Sequence, residues 1–170
     1  MSDRMKRLCR IAVLAAGSAV ISTLERPLLE LLPLPLPGFK LGLANIAVLF
    51  AAYRLCRADA AAVLGLRILI VNLLFGNPTS LALALCGGAG AIIPTVLLSR
   101  VEKLSPVGVS AAASAAHMFG QICAAAFILK TPGLFVTYLP WLLLLSVPTG
   151  VLNGVLSRSL IRRIPPAITR

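Results

Sequence analysis

Acidic residues are scarce in this sequence, with five Asp and Glu residues against sixteen Lys and Arg residues. The two aspartates, Asp3 and Asp59, lie far apart in the chain. Magnesium-assisted chemistry on a diphosphate needs clustered carboxylates, and the sequence offers no such cluster. The composition therefore argues against a magnesium-dependent enzyme that acts on diphosphates.

Other sequence patterns typical of enzymes are also missing. There is no G-x-x-x-x-G-K-[ST] loop, so the chain cannot hydrolyse ATP by itself, and no Ser/His/Asp set is apparent. The four cysteines are isolated, with no C-x-x-C pair and no histidines at the spacing of metal ligands, and we interpret them as small apolar side chains. We therefore expect no catalytic residues, no metal and no cofactor, and predict that the protein is not an enzyme.

Charged residues make up only 12% of the chain, whereas 59% of its 170 residues are hydrophobic and the mean hydropathy is +0.98. Such a chain is far more apolar than a soluble domain of this size. The net charge of +11 does not form one patch, so we expect no nucleic acid as a partner. We predict an all-α integral membrane protein, a single membrane domain over residues 1–170.

Six apolar runs are long enough to cross a bilayer when tilt is allowed, and they predict six transmembrane helices. The second and third runs are near the lower limit of length. Between the first two runs, the stretch from Pro33 to Asn45 (PLPLPGFKLGLAN) has prolines at alternate positions, which prevent a helix and predict a stiff, outward-facing crossover suited to act as a lid. The approximate runs are 8–24, 41–55, 60–75, 80–98, 107–129 and 134–157.

Basic residues alternate between the predicted loops. With a cytoplasmic N-terminus, twelve lie on the inner side and three, Arg26, Lys40 and Lys130, on the outer side. The positive-inside rule then places both termini in the cytoplasm, and we expect a multi-pass protein of the bacterial cell membrane. The inner set is Arg4, Lys6, Arg7, Arg10, Arg54, Arg57, Arg100, Lys103, Arg158, Arg162, Arg163 and Arg170.

Arg67 is the one basic residue in the middle of a predicted span. A charge at that depth costs about 2.5–3.5 kcal/mol on insertion scales, so its side chain should face the bundle interior and meet a partner. Two interpretations follow. Arg67 is either a structural residue bonded to helix carbonyls or to Glu25, or it binds an anionic ligand.

Polar side chains recur on one face of the fifth span. Ser110, Ser114, His117 and Gln121 follow the helical period. Ser110 and Ser114 are best explained by hydrogen bonds between helices, whereas His117 and Gln121 suit ligand contact as well as packing. The side chains that we expect in the outer half, where they would converge on a pocket with Lys40 above it, are Asn45, Arg67, Asn72, His117, Gln121 and Tyr138. Asn153 and Thr149 lie deeper, and we assign them to helix contacts.

Small residues recur at four-residue spacing in several spans, which permits close approach of helices. Ala12 and Ala16 in the first span either pack within the bundle or dock a partner membrane protein.

Several motifs resemble one family: LPLPGFKLGLANIAVLF (34–50), LRILIVNLLFG (66–76), the glycine-rich part of the fourth span, GVSAAASAAHMFGQ (108–121) and YLP (138–140). Together they resemble the Gx transporter family, also labelled heptaprenyl diphosphate synthase component I. That family is similar to the substrate-binding S components of energy-coupling factor (ECF) transporters. One departure is Met118, which stands where the family has an asparagine in H-N-x-G-Q.

The resemblance implies an ECF S-component-like bundle of six helices with a ligand site under the loop between the first two. It also implies a small-molecule substrate, anionic or isoprenoid, and a transmembrane coupling subunit with ATPase subunits as partners in the lipid bilayer. Two functions stay open: a substrate-binding subunit for uptake, or a non-catalytic membrane partner of prenyl diphosphate or quinone metabolism.

Overall fold

The computed structural model describes residues 2–30 and 41–164, and these residues form helices without strands. The larger part of the predicted crossover, including Lys40, lies outside the described residues. In chain order the described helices are α1 (Asp3–Glu30), α2 (Asn45–Arg54), α3 (Arg57–Phe75), α4 (Pro78–Leu98), α5 (Pro106–Leu129), α6 (Leu134–Thr137) and α7 (Leu139–Arg163).

Turn residues that are visible in the sequence set several helix ends. Asn77 caps α4, because its side chain accepts from the Ser80 N–H at 2.8 Å while the Ser80 hydroxyl accepts from the Asn77 N–H at 2.9 Å. Pro78 follows at the first helical position, where no N–H is needed. Ser105 caps α5 in the same way, and Lys130 ends it in the left-handed region with φ 52°.

Five of the helices are long and apolar enough to cross a membrane: Asp3–Glu25 within α1, and α3, α4, α5 and α7. Their large apolar side chains point outward, with Leu73 82% and Phe127 85% exposed. A surface of this kind is covered by lipid in a multi-pass membrane protein.

The predicted count of six spans is not confirmed. The second run, 41–55, contains only the ten-residue α2, which is about 15 Å long. Residues before Asn45 form a turn in which Gly42 has φ +73°, a conformation that requires glycine. The last run, 134–157, is divided into the one-turn helix α6 and the long helix α7.

Contacts between helix ends show how the chain returns. Arg7 at the start of α1 bonds Asp59 at the start of α3, with Nη2 2.7 Å from the carboxylate. Arg54 at the end of α2 donates to the carbonyl of Ile161 near the end of α7. The starts of α1 and α3 and the ends of α2 and α7 therefore share one end of the bundle, which we call the basic end.

Helices α4, α5 and α7 pack through small residues. A Cβ added to Gly90 of α4 would overlap the backbone carbonyl of Ala116 in α5, and one added to Gly150 of α7 would come within 2.7 Å of the Ala111 Cα. Such backbone contact is how helices gain dispersion energy in lipid, where apolar burial gives little. These three helices form a close-packed wall of the bundle.

Candidate functional site

A polar cavity of about 60 Å³ lies between α1, α2, α3, α4 and α5, beyond Arg67 on the side away from the basic end. The turn before α2 contributes Gly42 and Ala44, and α1 contributes Ser22 and Glu25. Five side chains that the sequence analysis singled out line this one cavity: Asn45, Arg67, Asn72, His117 and Gln121.

Arg67 is 8% exposed, and its Nη1 donates to the Asn45 Oδ1 at 2.9 Å. Of its five N–H donors, this is the one bonded to a described residue. Glu25 acts on Arg67 electrostatically. The salt bridges within 4 Å between described residues are Lys6–Asp3 and Arg7–Asp59, so Glu25 acts from a longer distance. Arg67 thus keeps donors for the cavity.

The turn before α2 is held from two sides and forms one wall of the cavity. The Gly42 N–H donates to the Glu25 carboxylate at 2.6 Å, and the Asn153 Nδ2 donates to the Leu41 carbonyl at 2.8 Å. Asn153 therefore bonds this turn, whereas the sequence analysis assigned it to contacts between helices. Glycine at position 42 with a positive φ is the sequence signal for this wall, and only its structural context makes it readable.

The polar face of α5 points into the cavity along part of its length. His117 and Gln121 lie opposite Gly87 of α4, where an added Cβ would be 2.8 Å from the His117 Cε1 and 2.6 Å from the Gln121 Cγ. Gly87 therefore makes room for both side chains, a role that sequence reasoning had given only to helix packing. Ser114 also lines the cavity, whereas Ser110 lines a second, smaller cavity of about 20 Å³ beside Asn153.

Asn72 has a structural connection besides its place at the cavity. Its Nδ2 donates to the Ile68 carbonyl at 2.8 Å, and its Oδ1 accepts from the Ser80 hydroxyl at 2.8 Å. It therefore joins the end of α3 to the start of α4. The side chain that closes this edge of the cavity is held by the turn between the two helices.

Tyr138 is separate from the cavity lining that the structure describes. The short helix α6 precedes it, and its ring packs against the apolar cluster of Met118, Ile122 and Leu142. Met118 is 2% exposed and also borders the cavity, so an apolar group occupies the position where the family has an asparagine.

Ala12 and Ala16 lie on the exposed side of α1, whereas Ala15 and Ala19 face the bundle with 1% and 6% exposure. The two pairs that the sequence shows at the same spacing thus belong to opposite faces. The outward pair does not pack within the described bundle and is accessible to lipid or to another protein.

No group of three or more His, Cys, Asp or Glu side chains that would suit a metal ion occurs among the described residues. Asp59, one of the two aspartates, is bonded to Arg7 at the basic end, away from the cavity. The chemistry available in the cavity is therefore that of charged and neutral hydrogen-bonding groups.

The family model for heptaprenyl diphosphate synthase component I matches residues 14–160 of the chain. This match confirms the resemblance that the sequence motifs indicated. The matched range covers the cavity and all five long helices, apart from the outermost turns of α1 and α7. Comparison with curated proteins and with solved structures gave no match.

Proposed function

Because the chain belongs to the heptaprenyl diphosphate synthase component I family, we propose that it is a non-catalytic, substrate-binding membrane subunit of an ECF-like uptake transporter for a small molecule. The substrate occupies the polar cavity, and Arg67 binds its anionic group. ATP hydrolysis belongs to other subunits, since this sequence has no phosphate-binding loop.

The buried arginine is the observation that carries this proposal. A structural arginine in a membrane helix would be expected to spend its donors on carbonyls or on a carboxylate in direct contact. Arg67 instead has one described hydrogen-bond acceptor, the neutral Asn45, and its guanidinium borders a cavity. A planar guanidinium with free N–H groups is well suited to a carboxylate or phosphate group.

Replacing Arg67 separates ligand binding from stability. We expect Arg67→Lys to weaken substrate affinity clearly, because an ammonium cannot reproduce a two-pronged contact, and Arg67→Gln to abolish it. The measurements are the thermal midpoint of the purified protein in mild detergent without ligand, and the amount of bound small molecule that mass spectrometry recovers. Arg158→Gln, the same change at an exposed position, is the matched control.

Two results decide between the interpretations of Arg67. Loss of bound compound at preserved ligand-free stability supports the anion site. If Arg67→Gln and Glu25→Gln both lower the ligand-free midpoint while the bound compound is retained, Arg67 is a structural partner of Glu25 and the proposal fails.

The orientation and partners follow from the same proposal. The basic end faces the cytoplasm of a bacterial cell, as the twelve inner basic residues favour, and the cavity then faces outward. In this arrangement α2 and the residues before it form the second crossing, and both termini are cytoplasmic. The exposed face of Ala12 and Ala16 docks a transmembrane coupling subunit, which in turn carries the ATPases.

The printed description of the family favours a second candidate, a non-catalytic membrane partner of prenyl diphosphate or quinone metabolism. In that case the protein would hold or present a prenyl chain to a soluble enzyme. Gene neighbourhood discriminates the two: coupling and ATPase subunits nearby favour uptake, whereas prenyl synthase or quinone genes favour the alternative. The identity of the compound recovered with the protein decides between them directly.

A further inference from the structure

We infer that the substrate of the central cavity is a compact amphoteric molecule with no net charge, which presents an anionic group to Arg67 and a protonated amine or similar donor to Glu25. This inference rests on the proposed function and deepens it. It assigns Glu25, considered so far only as a partner of Arg67, to the binding site.

The charge balance of the cavity is the first reason. Of the described residues that line it, Glu25 and Arg67 carry the formal charges, so with His117 neutral the lining sums to zero. Both charged side chains are buried, with 5% and 8% of their surfaces exposed. A ligand with net charge would bring an uncompensated charge into this interior, which is strongly unfavourable. A ligand with no net charge avoids that cost.

The separation of the two charges is the second reason. Glu25 belongs to α1 and Arg67 to α3, and they interact electrostatically without forming one of the described salt bridges within 4 Å. Each is oriented by a neutral group, Glu25 by the Gly42 N–H and Arg67 by Asn45. Two fixed charges of opposite sign on different helices match a molecule whose own charges are separated.

The size and chemistry of the remaining lining are the third reason. The cavity of about 60 Å³ has room for roughly four water molecules. Asn72, Ser114 and Gln121 add amide and hydroxyl groups around it. These groups suit a small hydrated molecule better than a prenyl diphosphate, which would bring two or more negative charges and a long hydrocarbon chain.

Mass spectrometry of the compound that co-purifies with the protein tests the charge class. Wild type, Arg67→Gln and Glu25→Gln are purified in mild detergent together with two controls that make the same changes at exposed positions, Arg158→Gln and Glu102→Gln. We expect wild type and both controls to release the same compound, and this compound to carry an acidic and a basic group. Each cavity variant should retain roughly a hundredfold less of it.

Blocked forms of the recovered compound then test each charge separately. Acylation of its amine should weaken binding to wild type but should weaken binding to Glu25→Gln no further, because the partner of the amine is already absent. Esterification of its acid should behave in the same way with Arg67→Gln. Equal losses in wild type and Glu25→Gln on acylation would overturn the assignment of Glu25.

The outcomes separate this inference from the proposed function. A recovered compound that is lost in Arg67→Gln but has a net negative charge and no basic group leaves the substrate-binding function standing and overturns the amphoteric class. A compound retained equally by every variant, or no compound in wild type, overturns both. A prenyl compound would favour the second candidate function.

Discussion

The wall formed by α4, α5 and α7 and the side formed by α1, α2 and α3 are held together by different contacts. In the wall, glycines such as Gly90 and Gly150 bring backbones into direct contact. On the other side, long polar side chains join the helices: Arg67 to Asn45, and Arg7 to Asp59. An apolar cluster around Val63 also packs there.

This difference separates a rigid scaffold from the part that can respond to a ligand. Backbone contacts between glycines do not change when a polar molecule enters a cavity, whereas hydrogen bonds of buried charged groups can be exchanged for bonds to that molecule. The cavity lies where the two parts meet, with Glu25, Asn45 and Arg67 on one side and His117 and Gln121 on the other. Mutations should therefore separate stability in the wall from binding at the cavity.

The largest loss of stability is expected from Gly90→Ala. Its new methyl group would overlap the Ala116 carbonyl, a backbone atom that cannot move without separating α4 from α5. We expect a lower free energy of unfolding in detergent by about 1–3 kcal/mol, measured from the thermal midpoint. Gly65→Ala is the control, because nothing lies within 4 Å of the added Cβ and alanine favours the helix. Equal midpoints for the two variants would contradict the close-packed wall.

A smaller loss of about 1 kcal/mol is expected from Asp59→Asn at the basic end. Asp59 is 4% exposed and accepts from the Arg7 Nε at 2.8 Å, so its charge fixes the start of α3 against α1. The Arg7 side chain is 55% exposed, and water therefore weakens the pair. Asp3→Asn is the matched control, since Asp3 pairs with Lys6 on the surface. The result to exclude is an identical thermal midpoint for both aspartate variants.

Gly87→Ala should alter binding more than stability. The added Cβ would displace the Gln121 and His117 side chains, which can move, rather than a backbone. We expect substrate affinity to fall about tenfold or more, while the ligand-free midpoint falls less than in Gly90→Ala. Affinity is measured for the compound that co-purifies with wild type. A variant that loses as much stability as Gly90→Ala and keeps its affinity would show that Gly87 belongs to the wall alone.

Sequence periodicity predicted most of the helical architecture. Four long runs and the first span follow apolar runs of membrane length, and Asn77-Pro78 and Ser105-Pro106 mark starts that the structure shows as capped helices. The second span was less predictable, because the run from 41 to 55 is apolar throughout and hydropathy does not reveal where the backbone turns at Gly42. The helical bounds there depend on contacts with Glu25 and Asn153, which are distant in sequence.

The candidate site was predictable in part for the same reason. Costly polar residues in apolar segments, Arg67 above all, pointed to the interior, and helical spacing put His117 and Gln121 on one face. Tyr138 was misplaced, because YLP begins a new helix after the one-turn α6 and the ring enters an apolar cluster. Gly87 could not be recognised, since the space that a missing side chain leaves is seen only when the opposite helix is in place.

The smallest effect on the bundle itself is expected from Ala12→Leu and Ala16→Leu, which enlarge the exposed face of α1. Neither position packs against described residues, so the thermal midpoint in detergent and the affinity for substrate should stay within error of wild type. If this face docks a coupling subunit, larger side chains should prevent close approach of the two proteins and reduce co-purification with that subunit. Ala15→Leu is the contrasting variant, because Ala15 is 1% exposed and leucine there should destabilise the isolated bundle. Unchanged co-purification in both outward variants would show that lipid, not a partner, covers this face.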